Sequence, residues 1–188
     1  MKKIILSSVS IAVILVSVAF APSINKLVSN KTHIKFFSTT TAEDIEAHNY
    51  ASVSTIDTQT GDVVFSVPMQ SFEFKIPLMQ KHFNSEAFLD TKQFTKAKLV
   101  GKITNLSEIN FNKDGSYSAN IKGEMTIHGK TNPINEKATI VIAGKSVKVT
   151  SKFNILLADY GVAFEKGKPS SNIAKTVEVT VDSEYLFE

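Results

Sequence analysis

The sequence predicts an all-β domain, an antiparallel β-barrel with one short helical excursion. Three observations carry this. Apolar and polar residues alternate with a period of two through most of the chain, the signature of half-buried strands. Short polar connections separate these runs and suit hairpins between antiparallel neighbours. The strands share a single apolar face, which must be buried, and a sandwich and a closed barrel are the two common ways to bury it. Long runs such as residues 117–128 favour the barrel.

Taken in order, residues 22–31 are polar, carry no apolar period and read as a linker. Phe65, Val67 and Met69 share one face; Phe72, Phe74 and Ile76 continue in the opposite parity, so a bulge or bend is expected near Gln70 and Ser71. Residues 78–92 are the exception, with Met79, Phe83, Ala87 and Phe88 at helical spacing, and one or two helical turns are expected there. Ala97, Leu99, Gly101 and Ile103 form the next face. Tyr117, Ala119, Ile121, Gly123, Met125 and Ile127 follow, then Ile134, Ala138, Ile140 and Ile142. Val147, Val149 and Phe153 come after a turn at 143–145, and Val177, Val179, Val181 and Tyr185 close the series. Thr60-Gly61-Asp62 and Lys113-Asp114-Gly115 supply further turns. Gly101, Ala119 and Gly123 on the inward face either leave volume unfilled or permit sharp bending.

The N-terminus reads as an export signal over residues 1–21: Lys2-Lys3, an apolar run over 4–20, and Ala19-Phe20-Ala21 as a small-x-small cleavage site. Pro22 speaks against cleavage there, so an uncleaved membrane anchor is the competing reading, and it would be the chain's one membrane contact. The folded domain is placed at 32–188. Either way the location is periplasmic or secreted.

Composition narrows the function. Lys2 and Lys3 are two of the 21 basic residues, and without them the chain is within one charge of balancing its 18 acidic residues. Arg is absent. Near-neutrality without the guanidinium fork argues against nucleic acid. With no cysteine there is no disulfide, thiolate nucleophile or lipidated Cys. No nucleophile elbow, phosphate loop or dinucleotide fingerprint occurs. His33, His48, His82 and His128 lack metal-ligand spacing, and His82 and His128 read as structural groups at element ends. Glu43, Asp44 and Glu46 read as the start of a turn, and Asp159-Tyr160 as another, rather than as acid/base pairs. No catalytic residue, metal or cofactor is expected, and the protein reads as a binder and not an enzyme.

The chain resembles the YceI-like family. The resemblance runs through residues 41–49 (TAEDIEAHN), 78–84 (LMQKHFN), 94–97 (FTKA), 101–103 (GKI), 115–117 (GSY), 126–131 (TIHGKT) and 159–161 (DYG), in the family's order. Thr95 stands where a Pro is usual, and the first strand around Ile34 to Phe37 lacks the family's frequent Trp. The resemblance implies an extended, lipocalin-like barrel with a long apolar tunnel, export, a polyisoprenoid-like or related amphipathic lipid as ligand, and often a homodimer. The Phe and Met stripe is compatible with plain core; the resemblance favours a division between core and ligand wall. On that basis the expected tunnel lining is Phe65, Val67, Met69, Phe72, Phe74, Leu99, Ile103, Ala119, Ile121, Gly123, Met125, Ile127, Ile140, Val149, Phe153 and Val179, with the lipid head at the polar mouth. The rival reading is a non-catalytic structural or stress-response module whose barrel is filled and which acts through its surface.

Overall fold

The computed structural model describes residues 25–41, 43–162, 164–165, 168–169 and 174–187. Residues 1–21, read above as an export signal, lie outside them. Eight antiparallel strands close into a barrel. They are β1 (Lys26–Thr39), β2 (Asp44–Asp57), β3 (Asp62–Pro68), β5 (Lys96–Ile103), β6 (Gly115–Ile127), β7 (Lys130–Ala143), β8 (Ser146–Leu156) and β11 (Thr176–Leu186). The order around the ring is β1-β11-β8-β7-β6-β5-β3-β2, and β1 pairs with β2 to close it. Closure pairs each strand of the ring on both sides over at least part of its length, limiting the bare edge that a lone apolar sheet would expose. β4 (Phe72–Phe74) adds to β2, and β9 (Phe164–Glu165) pairs with β10 (Lys168–Pro169).

The bend expected near Gln70 is a 3-10 turn over Met69–Ser71. It lets the chain leave β5 and return to β2 as β4. Asn49 secures the break. Its buried amide donates to the Pro68 carbonyl at 2.7 Å, and its Oδ1 accepts from the Ala51 N–H at 3.0 Å and the Ser52 hydroxyl at 2.8 Å. The helical excursion is α1 (Pro77–Asn84), with Pro77 in its first turn, where the missing N–H costs nothing. The β6–β7 hairpin turns on His128 and Gly129, both with positive φ (50° and 73°), as a two-residue turn of this twist requires. His128 is held there edge-on against Phe94, ring centroids 4.6 Å apart.

Two readings of the sequence need correction. The segment 22–31 is not all linker: β1 starts at Lys26. Leu27, Ser29 and Thr32 are buried from it, but two of these three are polar, so the strand shows no hydrophobic period. Asp44 and Glu46 do not begin a turn; they open the 14-residue strand β2.

The barrel interior is divided. At the end away from α1 it is filled by Ile56, Val63, Ile103, Ile140, Ile142 and Val147, all 3% exposed or less. Beside them lies a buried polar layer in which Thr32 Oγ1 and Ser54 Oγ are 2.6 Å apart, and Ser54 Oγ and the Tyr185 hydroxyl also 2.6 Å apart. Burial pushes the Tyr185 phenol up to about 12, against the opposing pull of the Ser54 and Ser183 hydroxyls. Below pH 10 the phenol is neutral folded and unfolded, and its contribution is complete. Between pH 10 and about 12 the unfolded phenol ionises first, so about 2–3 kcal/mol should be lost across that window. Tyr185→Phe should be less stable at pH 8 by about 1–2 kcal/mol and should lack this alkaline component. Urea unfolding of both proteins at several pH values checks it.

Candidate functional site: an apolar cavity

The half of the barrel nearer α1 is hollow. A cavity of about 690 Å³ lies there, within the range of roughly 300–1,000 Å³ common for small-molecule sites. Its wall comes from every strand of the ring, from α1 and from the loop that follows it.

Alternation puts one residue in two of each strand on this wall. β1 supplies Ile34, Phe36 and Ser38; β3 supplies Phe65 and Val67; β5 supplies Ala97 and Leu99. Ile121, Met125 and Ile127 come from β6, and Ile134, Glu136 and Ala138 from β7. α1 covers the end through Phe83, which is buried against Phe36, Phe72 and Phe74 at ring-centroid distances of 5.6, 5.4 and 5.0 Å, with Phe88 at 6.4 Å. Offset and tilted aromatic contacts of this kind hold a short helix that has little stability of its own. The 3-10 turn Leu157–Tyr160 after β8 adds Leu157 and Tyr160. Burial raises the Tyr160 phenol.

Of the residues expected to line a tunnel, Phe65, Val67, Met69, Phe72, Phe74, Leu99, Ile121, Met125, Ile127, Val149, Phe153 and Val179 stand on this wall. Ile103, Ala119, Gly123 and Ile140 do not. Ile103 and Ile140 belong to the filled half, and Ala119, fully buried, packs opposite Ala138. Gly123 provides no space at all: a Cβ there would lie 2.2 Å from the Val100 carbonyl oxygen and 2.4 Å from the Gly101 Cα. The two glycines are register partners on β5 and β6. Their small size permits close backbone approach, and the volume that the sequence allowed for at Gly123 is not there.

Sequence reasoning missed Phe36, Phe83, Phe88 and Glu136 as wall residues. The signal existed for three of them. Phe83 and Phe88 have helical spacing with Met79 and Ala87, and all four reach the cavity. Glu136 has the parity of Ile134 and Ala138, but a charge in an apolar series is easily passed over.

Among the described residues, the titratable groups elsewhere form no comparable site. On the outer face of β1 and β2, His33 Nε2 and His48 Nδ1 are 3.0 Å apart, and both rings stack with Tyr50. Burial first, then the neighbouring His48, holds His33 below its ordinary pKa. Glu46 accepts from Lys35 at 3.2 Å and lies 3.0 Å from His48; these hydrogen bonds, His48's first, lower its carboxyl. Among the described residues no three His, Cys, Asp or Glu groups converge as a metal site would need. His82 lies on α1 and touches the cavity.

The fold and cavity define a class: an antiparallel, lipocalin-like barrel, filled at one end and hollow and apolar at the other. The chain belongs to the YceI-like family, whose domain model matches residues 18–185. Two curated relatives are UPF0312 proteins of Pseudomonas fluorescens Pf-5, 32% identical over 99 residues covering 50% of this chain and 49% of the relative, and of Pseudomonas putida W619, 28% identical over 110 residues covering 54% and 51%. The chain thus matches over about half the length of these curated relatives. Among solved structures it is similar in fold to a polyisoprenoid binding domain from Saccharophagus degradans, with TM-score 0.73 and 13% identity, covering 87% of this chain and 99% of that one. Burkholderia cenocepacia BcnA is similar with TM-score 0.69 and 17% identity over 82% and 96%. A Campylobacter jejuni YceI protein gives 0.57 and 13% over 100% and 99%.

Proposed function

We propose that this protein is an exported binding protein that sequesters or carries one apolar, isoprenoid-type lipid in its barrel. The carrying observation is the cavity, walled by side chains from every strand of the ring and predominantly apolar. Burial of apolar ligand surface contributes about 25 cal/mol per Å2, so a hydrocarbon chain binds here without a dense polar network, less the cost of ordering it. The Saccharophagus domain of similar fold is described as polyisoprenoid binding, which supports the ligand class. Mechanism on this reading is enclosure, with no bond made or broken. The cavity also weighs against the rival reading of a filled barrel acting only through its surface.

Export is part of the proposal and rests on the signal-like N-terminus. Leu27 and Ser29 are buried, so a mature chain should begin between Pro22 and Lys26. N-terminal sequencing of periplasmic or secreted material tests this; Met1 retained in a membrane fraction would replace the signal with an anchor. Titration with a fluorescent isoprenoid tests the ligand, with saturable binding at one molecule per barrel expected.

A further inference from the structure

Two features of the cavity wall are unexplained by a purely apolar ligand. The first is a seam. β7 is laddered to β6 from Lys130↔Ile127 to Ile142↔Gly115, and β8 to β11 from Ser146↔Leu186 to Leu156↔Thr176. Between themselves, however, β7 and β8 pair only over Ala138–Ala143 and Ser146–Ser151. Where they part, the Ser151 hydroxyl donates to the Lys137 carbonyl at 2.6 Å. Nearer α1, the Asn132 amide bridges to the Asp159 carbonyl at 3.0 Å. Between these two ties no ladder bond joins β7 to β8 among the described residues. Pro133 lies in this stretch of β7, where a residue with no N–H to donate is tolerated because the edge is unpaired.

The second feature is what faces the cavity beside the seam. Glu136 has inward parity between Ile134 and Ala138, and all three stand on the wall. Were the β7–β8 ladder to continue, Glu136 would face Phe153. Its carboxyl, half-buried, has neither hydrogen bond nor ion pair with any described residue, and burial raises its pKa. Ser38, on β1, lines the same cavity, is 5% exposed, and its hydroxyl also lacks a partner among the described residues. Buried polar atoms normally find partners, so the Ser38 hydroxyl marks a place where a ligand supplies one, and the Glu136 carboxyl, part-exposed and unpaired on the wall of the same cavity, offers a bound molecule an acceptor. The remaining charged groups on the wall do not neutralise Glu136. Lys98 is exposed and has the parity opposite to inward-facing Ala97 and Leu99; Glu43 and His82 come from the β1–β2 connection and from α1.

We propose that the β7–β8 seam is a polar subsite in which Glu136 accepts a hydrogen bond from the head of the bound lipid, so that the protein selects lipid alcohols over lipid phosphates. This rests on the lipid-binding reading and deepens it. It also moves the head from the polar rim, where the sequence placed it, to the side wall. A carboxyl accepts well from a hydroxyl; an anionic phosphate beside it meets a like charge, with no wall cation facing it.

The test uses the delipidated full mature chain and three probes sharing an isoprenoid body: geranylgeraniol, geranylgeranyl phosphate and the headless hydrocarbon squalene. The expectation is that the alcohol binds at least about tenfold more tightly than the phosphate, a difference of the size one mismatched polar group produces. In Glu136→Gln, with an unchanged melting temperature, this preference should fall to about twofold or less, and squalene binding should not change. Glu136→Leu should weaken the alcohol alone. Equal affinity for alcohol and phosphate in the wild type, or a preference that survives Glu136→Gln, overturns the subsite while leaving lipid binding intact. Failure of all three probes, squalene included, overturns both.

Discussion

Gly123→Ala should destabilise the barrel by about 3 kcal/mol or more, at the upper end of what overpacking usually costs. The added methyl would sit 2.2 Å from the Val100 carbonyl oxygen and 2.4 Å from the Gly101 Cα. Both are backbone atoms in a ladder, so neither yields by changing rotamer. At this chain length the melting temperature should fall by about 6–12 °C. A side chain at this position would not enter a tunnel, as parity alone suggests, because the two strands meet there at van der Waals distance. Gly144 is the internal control, since a Cβ there meets nothing within 4 Å, although its positive φ of 57° still carries about 1 kcal/mol of strain. Denaturant midpoints of the two alanine variants decide it. A Gly123→Ala protein as stable as the wild type contradicts the close approach.

Val179→Trp should have the opposite profile. Val179 stands on the cavity wall in the middle of β11. The indole has empty space to enter, so folding should be little affected, with a stability change within about 1 kcal/mol, while ligand affinity falls by about tenfold or more as wall surface and volume are lost. Melting curves beside titration with a fluorescent isoprenoid separate the two effects. A large loss of stability with unchanged binding would mean that the barrel is packed at that level.

These two variants show what parity can and cannot reveal. Alternation correctly marks which side of each strand is inward, because the pleat allows only two sides. Phe65, Leu99, Met125 and Val179 are therefore legible from the sequence alone. Parity says nothing about height along the barrel axis, and height decides whether an inward residue meets space or another side chain. Ile103 and Ile140 have the right parity and the wrong height. Ser29 and Thr32 show the reverse failure. They are inward but polar; Ser29 accepts from the Lys31 N–H, while Thr32 is satisfied through Ser54 and, beyond it, Tyr185, both distant in sequence. Glu136 was hidden for a related reason: a carboxylate on an apolar face reads as an interruption until the unpaired seam beside it is known. The helical excursion was legible because Met79 and Phe83 are spaced for one helix face; Ala87 and Phe88 follow in the turns after α1 rather than on the helix. That the helix and the turns after it together cap the cavity is a fact of tertiary packing.

The central claim is that the hollow half of the barrel holds a lipid. Native mass spectrometry of the protein, purified without detergent from the cells that make it, tests it most directly, with solvent extraction and re-addition of squalene to the delipidated form. The account predicts an apolar adduct of one molecule per barrel, lost on extraction and regained with squalene. A folded barrel that carries no adduct and takes up no squalene would contradict it and leave the surface-acting module as the better reading.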